Sequence, residues 1–298
     1  MKNQRKGPKT AWAAQSALLP MGMVVLIAYV ASILWTVRIS FSSSKMLPKS
    51  DWAGITQYAR LFTNERWTID MVHMVQFGVF FISSALILGF LLAVFVDQKV
   101  RLEGVFRTIY LYSYAISFVA CGVVWQWMFN PTLGIQRSLQ SWGWESARFD
   151  WIASQDMAIY CVVIALLWHS AGLVMAILLA GLRGVDEELW KAARIEGVPR
   201  WRYYVSIVLP QLGATVSTAV VLLAISVVKV YDAVVAMTNG GPGDATDVPS
   251  KFIMDNLFER QNIGLASAAS TTMLVTVLII IAPLMYARSR SQAAARHS

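Results

Sequence analysis

The amino-acid sequence predicts an all-α fold: a polytopic membrane protein with six transmembrane helices. Composition, the placement of charge and the length of the apolar runs carry that reading. The 298 residues are 57% apolar and only 14% charged, with a mean hydropathy of +0.54, whereas soluble domains are roughly a quarter charged. Six windows hold no Asp, Glu, Lys or Arg at all: Thr10–Val37, Met71–Val96, Thr108–Gln136, Met157–Leu182, Tyr203–Val228 and Gln261–Ala287. Each exceeds the roughly 20 residues a spanning helix needs. Lipid offers backbone amides no water partner, so only helices or closed barrels cross it. Barrel strands are about ten residues long and alternate in polarity. These runs are longer and apolar all round, which selects helices.

Taken in order, the spans are expected near 16–37, 71–96, 108–129, 157–182, 209–236 and 263–287. They divide the chain into a tail (1–10), a membrane domain (11–288) and a second tail (289–298). The first run is too long for a signal-peptide core and no small-residue cleavage site follows it, so it is expected to be retained. Between spans one and two, Pro48 and Gly54 punctuate a polar segment whose Trp52, Tyr58, Phe62 and Trp67 suit a membrane interface. Asn130 and Pro131 close the third span. Trp142, Trp144 and Trp151 lie in the next loop, and 238–247 (TNGGPGDATD) is a Gly/Pro-rich turn before a short amphipathic piece at 251–260. No internal repeat, low-complexity tract or broken helix is read from the pattern. No segment outside the spans is long enough to bury a core of its own.

Charge sets the expected orientation. The net charge is +8, and 15 of the Lys and Arg residues fall on the side of the two tails and of the loops after spans two and four, against nine on the other side. The positive-inside rule then places both termini in the cytoplasm. A basic balance explained by topology does not call for nucleic acid as a partner. Cys121 and Cys161 both fall inside spans and read as small buried residues rather than as metal ligands or a disulfide.

The loop 183–208 carries more chemistry than a turn requires. Asp186 can N-cap a short helix, with Glu187 and Glu188 in its first turn. Leu189, Ala192, Ala193 and Glu196 follow at three- and four-residue spacings, giving a face that another surface can approach closely. Lys191 and Arg194 lie toward the end of the helix. Gly197 is placed to be the left-handed residue that stops it, and Pro199 blocks continuation. On pattern alone the segment is either a docking helix or a helix lying on the membrane surface.

The segment 189–201 (LWKAARIEGVPRW) with 207–210 (IVLP) resembles the EAA loop of ABC-importer permeases, in which E-A-A is followed by three residues, a Gly and later I-x-L-P. Lys191 stands where that family usually has Glu. The stretches 179–189 (LAGLRGVDEEL), 231–258 with its TNGGPG element, and 264–270 (GLASAAS) are similar to carbohydrate-uptake permeases of the maltose and glycerol-phosphate type, specifically the subunit usually placed first. Segments 46–67, 107–117 and 181–186 look closest to the glucose/mannose-type permease. The resemblance covers about residues 16–288. It implies the fold of a type I ABC-importer transmembrane domain in a bacterial inner membrane. It also implies a second, homologous permease, a cytoplasmic ATPase dimer docking on Glu188, Leu189, Lys191, Ala192, Ala193, Arg194, Glu196 and Gly197, and a periplasmic or extracellular sugar-binding protein. ATP and magnesium would be bound by the ATPase, with no cofactor in this chain. The residues agree with that division: no G-x-x-x-x-G-K-[ST] loop is present.

Few polar groups are available for a sugar path. Lys229 and Asp232 sit three apart in span five with Tyr231 beside them, a spacing that permits an ion pair. The same Lys could instead snorkel to the interface. Trp168 and His169, midway along span four, offer an aromatic face and a polar edge suited to a sugar ring. Gln126 between Trp125 and Trp127 is a weaker candidate. Glycines 240, 241 and 243 lack the lysine of a phosphate loop. No Ser/His/Asp, HExxH or paired-carboxylate constellation accompanies the spans, so catalysis is not expected. The alternative to an importer subunit is a stand-alone secondary transporter or channel.

Overall fold

The computed structural model describes residues 18–49, 51–98 and 101–295, and all regular elements among them are helical. The tail 1–10, the start of the first span at Ser16, and Lys99 and Arg296 of the basic segments lie outside the described residues. The chain divides into two compact units, Met1–Asn64 with Ile253–Val275, and Glu65–Phe252 with Thr276–Ser298.

In the first unit, α1 (Leu18–Ser40) has no buried residue in its most apolar window. Leu26 and Ile27 are 60% and 69% exposed, as side chains that face lipid should be. A polar turn follows. Phe41 stacks on Trp52 and tilts against Tyr58, both at 5.3 Å, and Ser40 Oγ lies 2.7 Å from the Tyr58 hydroxyl. Tyr58 belongs to α2 (Thr56–Phe62), whose Gln57 donates through Nε2 to the Ser42 carbonyl at 3.1 Å.

The second unit is built on α3 (Glu65–Asp97), a 33-residue helix. The third span is not one helix but two, α4 (Glu103–Tyr114) and α5 (Phe118–Met128), meeting at 96°. A short α6 (Ile135–Ser141) precedes α7 (Ala158–Leu182), the most deeply buried helix. After α8 (Glu187–Ile195), α9 (Arg200–Gln211) bends by 76° into α10 (Gly213–Val228), which leads to α11 (Tyr231–Met237). Short α12 (Pro249–Met254) and long α13 (Ile263–Ala295) complete the order. The core of the unit lies where α3 packs along α7; Phe77 and Phe81 stack there at 5.3 Å and are essentially unexposed. Gly172 of α7 lies so close to the Tyr110 carbonyl of α4 that no Cβ would fit. Small residues bring membrane helices together in this way, because packing rather than water exclusion holds them.

Among the described residues four helices are long and apolar enough to cross a membrane, and six crossings result when each bent pair is one span. The six-span expectation therefore holds in number, while the expectation of unbroken helices is corrected. In the third span the cause is Ser117. Its ψ of 152° leaves the helix, and its Oγ accepts from Ala120 N at 3.2 Å, capping a new helix inside an apolar run. In the fifth the bend follows Pro210, which lacks an amide N–H, and Gly213 opens the next helix. That span breaks again at Lys229, so Lys229 and Asp232 do not share one continuous helix as the sequence expected.

Candidate functional site

Two ends of the second unit carry polar constellations. At one end lies the loop 183–208. Asp186 caps α8, its Oδ1 accepting from Glu188 N at 2.9 Å. The helix stops in a Schellman arrangement: Val198 N donates to the Ala193 carbonyl at 2.9 Å and Gly197 N to that of Arg194 at 3.2 Å. This closure needs the left-handed φ of 72° at Gly197, which glycine adopts without a Cβ clash. The two adjacent alanines differ in burial. Ala193 is buried, whereas Ala192, Glu188, Lys191, Arg194, Glu196 and Gly197 are exposed and Leu189 is 38% exposed. Lys191 pairs with Glu188 at 2.7 Å along the helix. An exposed pair of this kind adds little to stability and leaves the outward face nearly neutral at that point. The sequence reading missed Ile195, which is 87% exposed at the end of this face. Its place one turn beyond Lys191 and Ala192 was the signal that could have found it.

The helix is braced from behind. Trp190 meets Tyr203 edge to face at 4.8 Å, and the Arg200 guanidinium lies 5.9 Å from the Trp190 ring. The Tyr204 hydroxyl donates to Asp97 at the end of α3, 3.4 Å away. Arg183 reaches Glu103 at the start of α4 at 2.6 Å. A cleft of about 780 Å³ separates these braces, with Asp97, Glu187, Trp190 and Tyr204 among its walls. The arrangement seats the helix on α9 through Trp190 and fastens the chain on either side of it to α3 and α4, with Ile195 and Trp201 left 87% and 70% exposed among the described residues.

At the opposite end the Gly-rich turn is closed on itself. Thr246 Oγ1 donates to the Gly241 carbonyl at 3.0 Å and lies 2.7 Å from Thr238 Oγ1. Asp247, buried, pairs with Arg66 at 2.6 Å and lies 3.6 Å from the Lys251 ammonium, while its carbonyl is 3.2 Å from His73 Nδ1. No local pattern links residues so far apart in the chain, and sequence reading did not find this network.

Between the ends, the expected path residues fall in two places. Trp168 is 41% exposed and 6.1 Å from Trp125, whereas His169 is 3% exposed and points inward. Lys229 and Asp232 are exposed and Tyr231 is half-buried; no ion pair joins Lys229 to Asp232 among the described residues. Gln126 is exposed on α5. No group of three or more His, Cys, Asp or Glu among the described residues could hold a metal ion.

Residues 85–291 match the family described as binding-protein-dependent transport system inner membrane component. A probable ABC transporter permease of Pyrococcus horikoshii is 31% identical over 90% of this chain and 93% of its own length. The trehalose/maltose transport system permease protein MalF of Thermococcus litoralis is 28% identical, covering 88% of each chain. The xylose/arabinose import permease protein XacH of Haloferax volcanii is 29% identical over 83% and 79%. Among solved structures, a bacterial ABC transporter involved in the import of the acidic polysaccharide alginate superposes with a TM-score of 0.80 at 20% identity, over 95% of this chain and 96% of that one; at that identity the likeness speaks for the fold. The apolar helices, the two bent spans and these matches agree, and the chain belongs to the family of binding-protein-dependent transport system inner membrane components, as a multi-pass, non-catalytic permease.

Proposed function

We propose that this chain is the membrane-spanning permease subunit of an ATP-driven sugar importer. It forms half of the translocation path and is moved by an ATPase dimer that docks on 183–208. The observation that carries the docking reading is the bare outward face of α8, with Ile195 87% exposed at its tip on a helix backed by Trp190–Tyr203 and preceded by the Arg183–Glu103 pair. An aliphatic side chain held in water on a rigid helix gains about 1.5–3 kcal/mol when a partner covers it. Glu188, Leu189, Lys191, Ala192, Arg194, Glu196 and Gly197 frame that contact, and Ala193 seats the helix. The ATPase binds ATP and magnesium; this chain supplies the lever. Both termini and the docking loop lie in the cytoplasm in this reading, as the basic bias suggests. The Gly-rich turn then faces the sugar-binding protein.

Sugar as the cargo draws support from the names of the relatives, which include trehalose/maltose and xylose/arabinose systems. Glucose, mannose or another mono- or oligosaccharide is the proposed substrate. Trp168 presents its ring to the path with His169 behind it, and Lys229, Tyr231 and Asp232 line the path nearer the Gly-rich end. A second, homologous permease supplies the facing wall. The test is reconstitution of the purified chain in liposomes with its neighbouring permease, ATPase and binding protein. Uptake of radiolabelled sugar that requires ATP and the binding protein is expected. Uphill transport by this chain alone, without nucleotide, would instead make it a stand-alone carrier.

A further inference from the structure

The third crossing is divided at Ala115–Ser117, and its two halves keep different company. On one side of the break, α4 is fastened to α7 at three heights. Glu103 pairs with Arg183 at 2.6 Å. The Tyr110 carbonyl presses on Gly172, where no Cβ fits. The Ile116 carbonyl lies 2.9 Å from His169 Nε2. Beyond the break, α5 packs chiefly on α11: a Cβ on Gly122 would sit 2.9 Å from Ala236 Cβ and 3.0 Å from the Ala233 carbonyl. Its contact with α7 is lighter, through Cys121 Sγ at 3.5 Å from the Ala165 carbonyl and Trp125 at 6.1 Å from Trp168. The His169 ring bridges the break. It lies 5.2 Å from the ring of Tyr114, the last residue of α4, and 4.7 Å from that of Phe118, the first of α5.

A helix broken at membrane depth frees backbone groups that lipid cannot satisfy, so such breaks persist only where the protein supplies a partner. A carbonyl only accepts, so His169 carries its proton on Nε2 and donates it to Ile116. The buried Nδ1 has no hydrogen-bond partner among the described residues. The imidazole thus meets the break with its donor, at Ile116, and with its ring, against Tyr114 and Phe118.

We propose that the Ala115–Ser117 break is the joint through which movement of the docking loop reaches the sugar path, and that His169 is the positioning residue that sets its angle. This rests on the importer reading. Helix α7 leads into the docking helix through residues 183–186, and α4 travels with α7. Helix α5 stays with α11 and the Gly-rich turn, so the angle at 115–117 changes as the transporter turns over, and Trp125 shifts against Trp168.

The test uses the full transporter in nanodiscs with binding protein and sugar. Spin labels go on exposed positions, as Val105→Cys with Val124→Cys across the break and Val105→Cys with Ala180→Cys between α4 and α7. The first distance is expected to change between the nucleotide-free and the ATP- and vanadate-trapped states, and the second to stay constant. His169→Leu is expected to lower uptake about tenfold or more, because it removes the donor to the part-buried Ile116 carbonyl at the break. His169→Gln, which retains a donor, is expected to restore most of it along with the distance change. A fixed first distance in the wild-type assembly overturns the inference, as does normal uptake in His169→Leu or equal impairment in both variants. A wild-type assembly without ATP-dependent uptake overturns the importer reading itself, and this inference with it.

Discussion

Arg66, in the first turn of α3, closes on Asp247, 181 positions later, at 2.6 Å, and the carboxylate retains only 2% of its exposure. This pair holds the end of the Gly-rich turn against α3. Removing one partner of a buried pair costs up to about 3–5 kcal/mol, and the Lys251 ammonium, 3.6 Å from Asp247, offsets part of that loss. Arg66→Met should therefore lower the detergent-solubilised melting temperature and open 238–247 to protease. The measurement is thermal unfolding with limited proteolysis. Unchanged cleavage of the turn would show that Thr246 and its neighbours hold it unaided.

Gly197→Pro should separate ATP hydrolysis from uptake. The substitution forbids the φ of 72° and removes the N–H that closes α8 on the Arg194 carbonyl. The chain should still insert, since no span is touched, while sugar uptake in vesicles drops at least about tenfold. Ala193→Trp should act alike by forcing α8 off its seat, as Ala193 is 3% exposed. Normal uptake in both variants would remove the docking role.

Ile195→Asp places a charge where an apolar contact is proposed. The lost burial, about 1.5–3 kcal/mol, corresponds to roughly 10–150-fold weaker association with the ATPase. Isothermal titration of the ATPase against the permease pair in nanodiscs reads this directly. Because Ile195 touches little within its own chain, the melting temperature of the isolated permease should stay within about 1 °C of wild type.

Trp168→Ala and Asp232→Asn should both alter transport at unchanged membrane abundance. Loss of the Trp168 ring removes an apolar face for a sugar and should raise the KM for uptake several-fold. Asp232, exposed in the first turn of α11, is expected to change the uptake rate when neutralised. Quantitative blotting beside the uptake assay separates the two cases, and a defect that merely tracks abundance would make the residue structural.

The features legible in the sequence were those written locally. Hydropathy located six crossings because lipid demands long apolar runs. Asp186, Gly197 and Pro199 marked α8 because caps and stops act within a few residues. The breaks were harder. Ser117 sits in an apolar run whose hydropathy is undisturbed, and only its own capping bond to Ala120 N reveals a new helix start. Pro210 was visible as a stop before the fifth span, yet its bend within a longer crossing depends on how α9 and α10 pack. The Arg66–Asp247 pair and the His169–Ile116 contact join segments that nothing in a single sequence relates. His169 itself was singled out as a polar group facing sugar, while its partner, a main-chain carbonyl, carries no side-chain signature.

Helix α1 has a consequence of a different kind. Its 23 residues extend about 34 Å at 1.5 Å each, slightly beyond a hydrocarbon slab of about 30 Å. No residue of its apolar window is buried among the described residues, so acyl chains or a partner subunit must complete its cover. Where acyl chains are that cover, thinner or thicker bilayers load this element at fractions of a kcal/mol per ångström, and exchange among Leu, Ile, Val and Met at its exposed positions is expected to leave membrane insertion unchanged.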